Sequence, residues 1–343
     1  MPKVRIQDVA SHANVSLMTI TRVINNTGYV APETRERVQN SIKALGYIPN
    51  QMAKALKNSK TGIIGNVLPL ITTNQVFSKI SQALKDAALP YGFKILPVYI
   101  ENDPERDEQM LYELIGRMVE GIIFTNVVQV DRKVLRKIID LKIPVVVLER
   151  PMTIKGVDKV GWDNIGGSRI AASHFIACGH SNLGFIGRRF GKERDEKDRF
   201  TGFQEGLTKN GIILEEKNIR LTKEYDVEFG YQAMKQIMEQ SEKKRPTGCY
   251  ITSDILLCGV LQYLYEKGIK VPRDMSIISH DNTHSAMCSP PITTVAIPFE
   301  DMGRIALSLF KERLEGKRAL DKTITLSPFL VDRGSVKNRC GSK

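Results

Sequence analysis

Two groups of residues have the types and spacing to do chemistry. Near the N-terminus, Ser16-Leu17-Met18-Thr19 is followed by Thr21-Arg22 and then Asn25. A guanidinium such as that of Arg22 can donate two hydrogen bonds to O6 and N7 of a guanine, and Leu17 and Met18 can pack on a thymine methyl. The hydroxyls of Thr19 and Thr21 can donate to phosphates, which fixes register without carrying sequence information. Far along the chain, His280, Asp281, His284 and Cys288 lie close together. Such side chains can do nucleophilic chemistry. No H-E-x-x-H metal motif, nucleophile elbow or Gly-rich phosphate loop accompanies them. Catalytic residues, metal ligands and a cofactor are therefore not expected.

Three short helices must position the first group. Ile6, Val9, Ala10 and Ala13 recur at helical spacing, Asn14-Val15 is a turn, and Ser16 can cap the next helix. Ile20, Val23 and Ile24 then form a buried stripe, which turns Leu17, Met18, Thr21, Arg22 and Asn25 outward onto one side. Pro32 starts a third helix and Gly46 ends it, with Val38, Ile42 and Leu45 inside. The same stripes fit a plain helical hairpin; exposed apolar residues beside an arginine favour a contact surface. Charge agrees with contact. Residues 1–60 hold nine Lys/Arg against three Asp/Glu, half of the chain's net +12. A concentrated positive segment attracts a polyanion and releases its counterions.

Tyr47-Ile48-Pro49-Asn50 reads as a linker, and residues 51–58 as a two-turn helix too short to be stable alone in water. Beyond residue 62, apolar β-branched runs alternate with helical stretches. Strands are expected at Ile63–Leu68, Ile95–Tyr99, Gly121–Thr125 and Val145–Leu148, then at Leu183–Gly187, Cys249–Thr252 and Ser276–Ser279. Near-continuous apolar strands between helices indicate parallel sheets covered on both faces. Two successive sets indicate two lobes, with a ligand site where strand C-termini meet.

The chain has 343 residues, 42% hydrophobic and 26% charged, as ordinary globular proteins do. Its five cysteines form no C-x-x-C pair and are odd in number, so reduced thiols are expected rather than a disulfide framework or zinc finger. Met-Pro-Lys-Val-Arg leads into polar residues rather than an apolar signal core, and no apolar run approaches a membrane span. A cytoplasmic protein without membrane contact is expected.

The stretches Asp8-Val9-Ala10, Ala13-Asn14-Val15-Ser16, Thr19–Asn25, Val30–Arg35 and Leu45–Asn50 match without a gap the signature of the lactose/galactose repressor (LacI/GalR) family, which this sequence resembles over nearly its whole length. Gly161-Trp162-Asp163-Asn164, Gly179-His180, Arg199–Phe203, Phe229-Gly230-Tyr231, Val271–Asp274, Ile292–Val295 and Glu300–Gly303 extend the match to about residue 336. Asn14 stands where the family more often has Gly, and Thr21 where it more often has Ser. The resemblance implies an α/β fold class: an N-terminal all-α helix-turn-helix domain (1–49), a hinge helix and linker (50–60), a two-lobed periplasmic-binding-protein-like domain with parallel sheets for effector binding and dimerisation (61–336), and a tail (337–343).

What the resemblance implies about function follows residue by residue. Ser16, Leu17, Met18, Thr19, Thr21, Arg22 and Asn25 would contact a double-stranded DNA operator, with Leu17, Met18 and Arg22 reading bases. Asn50, Ala53 and Leu56 would add minor-groove contacts, Leu56 as a wedge between base pairs. Asn74, Phe77, Glu149, Arg199, Tyr225, Ser253, Asp254 and Asp281 would line the effector site, a set suited to a sugar, sugar acid or sugar phosphate. Plainer roles stand beside these: Asp254 as a helix cap, Glu149-Arg150 as an ion pair, Tyr225 as a surface aromatic. The basic segment Arg188–Arg194 is a solvated loop or an aid to an anionic ligand. Ser279 and His280 depart from the family's usual Gly and aromatic residue. The implied protein is a transcriptional regulator, a repressor acting as a homodimer; a sugar-processing enzyme or a sugar-binding receptor on the same fold is the alternative.

Overall fold

A computed structural model describes residues 4–48, 60–69, 75–101, 103–125, 132–149, 154–191 and 194–340. The chain divides into two compact units, Met1–Thr61 and Gly62–Lys343.

The first unit is helical. α1 (Ile6–Ala13) ends on Asn14, whose φ of 50° is the left-handed turn that a short polar side chain tolerates. α2 (Leu17–Asn25) starts on Ser16, whose hydroxyl accepts from the Thr19 N–H at 3.2 Å. α3 (Pro32–Leu45) has Pro at its first turn and stops at left-handed Gly46. Val9, Ala10, Ala13, Ile20, Val23 and Val38 form the core; Ile24, Ile42 and Leu45 reach it only in part.

The second unit holds two six-stranded sheets. The chain first builds β1 (Ile63–Pro69), β2 (Lys94–Ile100), β3 (Gly121–Phe124), β4 (Val145–Glu149) and β5 (Asp158–Trp162), interleaved with α4 (Gln75–Ala88), α5 (Pro104–Gly116) and α6 (Arg132–Asp140). It crosses at Asp163 into α7 (Asn164–Ala177), β6 (Leu183–Arg188), α8 (Asp195–Thr208), β7 (Ile219–Thr222), α9 (Val227–Met238), β8 (Gly248–Ile251), α10 (Asp254–Glu266), β9 (Ser276–Asp281) and β10 (Thr293–Ala296). It returns through α11 (Phe299–Leu314) and β11 (Thr323–Leu326), then ends in the second sheet with β12 (Phe329–Val331). The strand orders are β11-β5-β4-β3-β1-β2 and β12-β10-β9-β8-β6-β7. Every pair is parallel except β10–β12. Three connections therefore join the lobes.

Period-two alternation decides which core each strand residue enters. In β4, Val146 and Leu148 join the core under α4 and α11, whereas Val145 and Val147 join the one under α5 and α6. In the second sheet Phe185 and Tyr250 face α7 and α8, and Ile186, Cys249 and Ile251 face α9 and α10. The seven expected strands are present. β5, β7, β10, β11 and β12 were not marked by an apolar run; β7, β11 and β12 lie at or beside sheet edges and are short and half-exposed. Gly202 on α8 packs so tightly on α7 that a Cβ there would lie 2.2 Å from the Ile165 carbonyl. This contact brings Arg199, one turn earlier, to the start of α7.

Candidate functional sites: a reading helix and a polar cleft floor

On α2 the inward and outward faces separate cleanly. Ile20 and Val23 are buried, while Leu17 and Met18 are 44% and 65% exposed and Ser16 and Arg22 are also exposed. The hydroxyls meanwhile have local partners: Thr21 donates to the Leu17 carbonyl at 2.8 Å, and Thr19 and Ser16 share a hydrogen bond of 3.0 Å. To donate to a phosphate, Thr21 must give up its bond to the Leu17 carbonyl, and Thr19 must give up its bond to Ser16 wherever Thr19 is the donor of that pair. Arg35 on α3 donates to Asn26 at 3.0 Å and fixes the end of α2. Asn25 is half-buried, and its Oδ1 has no hydrogen-bond partner among the described residues. Asn50, Ala53 and Leu56 lie outside the described residues.

In the second lobe, polar groups gather at the C-terminal ends of β6, β8 and β9. Arg199 is buried and fixed on three sides. Its Nε donates to Asn164 Oδ1 at 2.9 Å, its Nη1 donates to the Thr252 carbonyl, and its Nη2 pairs with Asp281 at 3.1 Å. Asn164 Oδ1 also accepts from the Trp162 indole at 3.0 Å, tying the first crossover to the guanidinium. Asp281 closes β9 with a φ of 92°, a strained backbone for a non-glycine residue. The pair is close but misaligned, so Asp281 Oδ1 is left without a directed hydrogen bond.

Asp254 explains how that strain is held. Its Oδ2 accepts the backbone N–H groups of Thr283, His284 and Ser285 at 2.6, 2.7 and 3.1 Å, and its Oδ1 accepts from Ser279 Oγ at 2.6 Å. The carboxylate is filled by the loop that carries Asp281, which makes it an anchor of that loop. It is not the cap of α10 either: Ser253 is, accepting from the Ile255 N–H at 3.3 Å. Tyr225 is half-buried rather than a surface aromatic. Its hydroxyl donates to Glu196 Oε2 at 2.5 Å, and one ring face lies under the Arg188 guanidinium at 4.9 Å. Phe77 is buried on α4, Asn74 lies outside the described residues, and Glu149 ends β4 opposite Gly161. His280, Asp281, His284 and Cys288 do not assemble a nucleophile. His280 is buried on Tyr250 at 2.6 Å, and Cys288 is turned onto the His284 carbonyl. Among the described residues no His, Cys, Asp or Glu group is placed to hold a metal.

Sequence reasoning missed Glu196, Thr252 and the Ser168–Tyr250–His280 chain. Glu196 sits one helical turn before Arg199, but the run Asp195-Glu196-Lys197-Asp198 looks like an ordinary solvated face. It is in fact 1% exposed. Burial pushes its carboxyl up, against the pull of Arg199, Thr252, Tyr225 and Arg188. Burial also raises Asp281 to about 6, with Arg199 opposing; at neutral pH it is still ionised and the ion pair stands. Burial and the Arg199 charge hold His280 well below the usual imidazole range, so it is neutral.

A helix-turn-helix unit joined to a two-lobed, parallel-sheet body with a polar cleft floor defines an effector-regulated DNA-binding protein by architecture. Residues 5–50 match the family described as bacterial regulatory proteins, lacI family, and residues 172–336 match the periplasmic binding protein-like domain. The regulator DegA of Bacillus subtilis is 33% identical over 97% of this chain and 98% of its own. The repressor PurR of Mannheimia succiniciproducens is 31% identical over 97% and 98%. A transcriptional regulator CelR in complex with cellobiose superposes with a TM-score of 0.69 at 25% identity, covering 97% of this chain and all of that one (100%). A lac repressor dimer bound to operator and an anti-inducer gives a TM-score of 0.77 at 23% identity over 98% and 99%. The chain belongs to the lacI family of bacterial regulatory proteins: it is a DNA-binding transcriptional regulator, not an enzyme. No helix among its described residues is long and apolar enough to cross a membrane.

Proposed function

We propose that this regulator is a cytoplasmic repressor that binds a near-palindromic operator as a homodimer, one reading helix per half-site. In this reading residues 1–49 read DNA, 50–60 form the hinge, 61–336 bind effector and dimerise, and 337–343 are a tail. Arg22, Leu17 and Met18 contact bases, Ser16, Thr19, Thr21 and Asn25 fix register, and Leu56 wedges the minor groove beside Asn50 and Ala53. A small sugar or sugar derivative binds between the lobes on Arg199, Tyr225 and Asp281, with Phe77, Asn74 and Glu149 from the first lobe. Ser253 and Asp254 act behind them, holding the 281–285 loop. The effector shifts operator affinity only as far as it prefers one closure state of the lobes.

The observation that carries the reading is the buried Arg199–Asp281 pair, whose 3.1 Å contact at Asp281 Oδ1 is not a directed hydrogen bond, at the strand ends where ligands of such folds bind. The relative solved with cellobiose agrees with a sugar-sized ligand. The test is operator binding by fluorescence anisotropy for the wild type, Arg22→Ala and Leu56→Ala. Arg22→Ala is expected to lose ~1–3 kcal/mol of discrimination at one base pair. Leu56→Ala is expected to weaken operator binding while effector affinity is kept. Unchanged operator affinity in both variants would overturn the assigned surface.

A further inference from the structure

The effector reading leaves open whether the ligand is neutral or anionic. The cleft floor carries a second feature that bears on this. Gly187, in β6, has a side of bare backbone, and the Glu196 carboxylate lies over it: a Cβ there would come within 2.0 Å of Glu196 Oε1 and 2.8 Å of Thr252 Oγ1. Both of these atoms are buried and neither makes a directed hydrogen bond among the described residues; the Thr252 hydroxyl is near enough to oppose the rise of the Glu196 carboxyl, and each oxygen keeps acceptor capacity beyond that contact. Glu196 Oε2 is taken by Tyr225, and Arg199 is neutralised by Asp281. A carboxylate acceptor and a hydroxyl thus converge on one spot, each with an unused bond. Leaving such groups unpaired is costly.

Resting on the effector reading above, we propose that Glu196 and Thr252, positioned by Gly187 and Tyr225, form a subsite that reads one hydroxyl of a neutral polyol and rejects its anionic derivatives. A hydroxyl both donates and accepts, so a single ligand O–H satisfies Glu196 Oε1 and Thr252 Oγ1 together. A phosphate or carboxylate oxygen only accepts. It serves Thr252 but brings a negative charge against the Glu196 carboxylate, while Arg199 is already paired with Asp281. The basic segment from Arg188 does not reverse this. The Arg188 guanidinium is stacked on the Tyr225 ring and lies 3.9 Å from the Glu224 carboxylate.

The experiment is calorimetric titration of the full-length protein in mildly alkaline buffer. The titrants are D-glucose, D-galactose, D-mannose, D-ribose and D-xylose, each beside its aldonic acid and terminal phosphate. The wild type is compared with the near-isosteric variants Glu196→Gln and Thr252→Val, both checked for an intact fold by circular dichroism, and with Arg199→Lys. The wild type is expected to bind a neutral sugar at least about tenfold more tightly than its acid or phosphate, the size of one hydrogen bond to a charged group. Glu196→Gln should narrow that ratio by about tenfold, and Thr252→Val should weaken the neutral sugar severalfold. A wild type that prefers the acid or phosphate overturns the subsite. So does a ratio untouched by Glu196→Gln; loss of binding in Arg199→Lys would then show that the cleft reading itself stands. Absence of binding by every compound would overturn the cleft reading and the subsite with it.

Discussion

The reading helix and the cleft floor handle their polar groups in opposite ways. On α2 the hydroxyls of Ser16, Thr19 and Thr21 have partners within the helix and its cap, and beside Ser16 the exposed side chains are Leu17, Met18 and Arg22. In the second lobe the relation is inverted. Glu196 Oε1, Thr252 Oγ1, His280 Nε2 and Asp281 Oδ1 are buried without a directed hydrogen bond among the described residues, around an arginine held on three sides. A surface that meets a long polyanion can exchange local hydrogen bonds one at a time, each worth only ~0.5–1.5 kcal/mol net. A cavity that must change the energy of two lobes needs groups whose satisfaction depends on the ligand. In the proposed reading, the difference separates affinity for DNA, a matter of surface, from control of it, a matter of buried polar groups without directed hydrogen bonds.

The largest effect expected from this contrast is on the cleft. Arg199→Ala leaves the Asp281 carboxylate buried without its cation and removes the bonds to Asn164 and the Thr252 carbonyl. Breaking one side of a buried pair costs about 3–5 kcal/mol. Denaturant unfolding should show a loss of that size in the second unit and abolished effector binding. Near-wild-type stability would mean that the pair is solvated and the contrast false.

Legibility of the sequence followed the same division. The reader was readable residue by residue, because its stripe, caps and turns are all local: Ser16, Asn14 and Gly46 do what their types require. The central strands were equally plain, since strands buried on both faces are apolar throughout. The cleft was readable only at Arg199, Tyr225 and Asp281, and through resemblance. Glu196 was hidden because the packing of α8 on α7 and the gap over Gly187, both set by contacts distant in sequence, convert a charged-looking face into a buried one. The partners of Asp254 were hidden for a related reason. Whether a carboxylate at a helix start caps that helix or reaches across to a loop depends on where the loop lies, and here Thr283–Ser285 lies on it.

Acidification should sharpen the comparison by a middling amount. Asp281 has its pKa raised to about 6 by burial, against Arg199 and with Asp254 and Glu196 adding to the rise. It is ionised above that value and protonated below it. Ligand hydroxyls donate to the ionised form, so effector affinity is full above pH ~6 and falls as pH drops through it, by about tenfold for each unit below. Calorimetry across pH 5–7.5 checks the direction. An affinity that rises on acidification would place the ligand's acceptor, rather than its donor, at Asp281.

The smallest effect belongs to the reader. Ser16→Ala removes the hydroxyl that accepts from the Thr19 N–H and also frees the Thr19 hydroxyl from its 3.0 Å partner. An N-cap lost to alanine costs about 1 kcal/mol. The loss should appear as a small drop in the melting of the first unit, and effector binding should be unchanged, because every partner of Ser16 is within α2. Operator affinity sets two terms against each other. The frayed helix weakens it, while the released Thr19 hydroxyl becomes available to a phosphate at no exchange cost. If local satisfaction governs the reader as argued, these terms nearly cancel and operator affinity moves less than stability does. A large loss of operator binding with little loss of stability would instead make Ser16 itself a phosphate contact, and the reader would depend on its polar groups as directly as the cleft does.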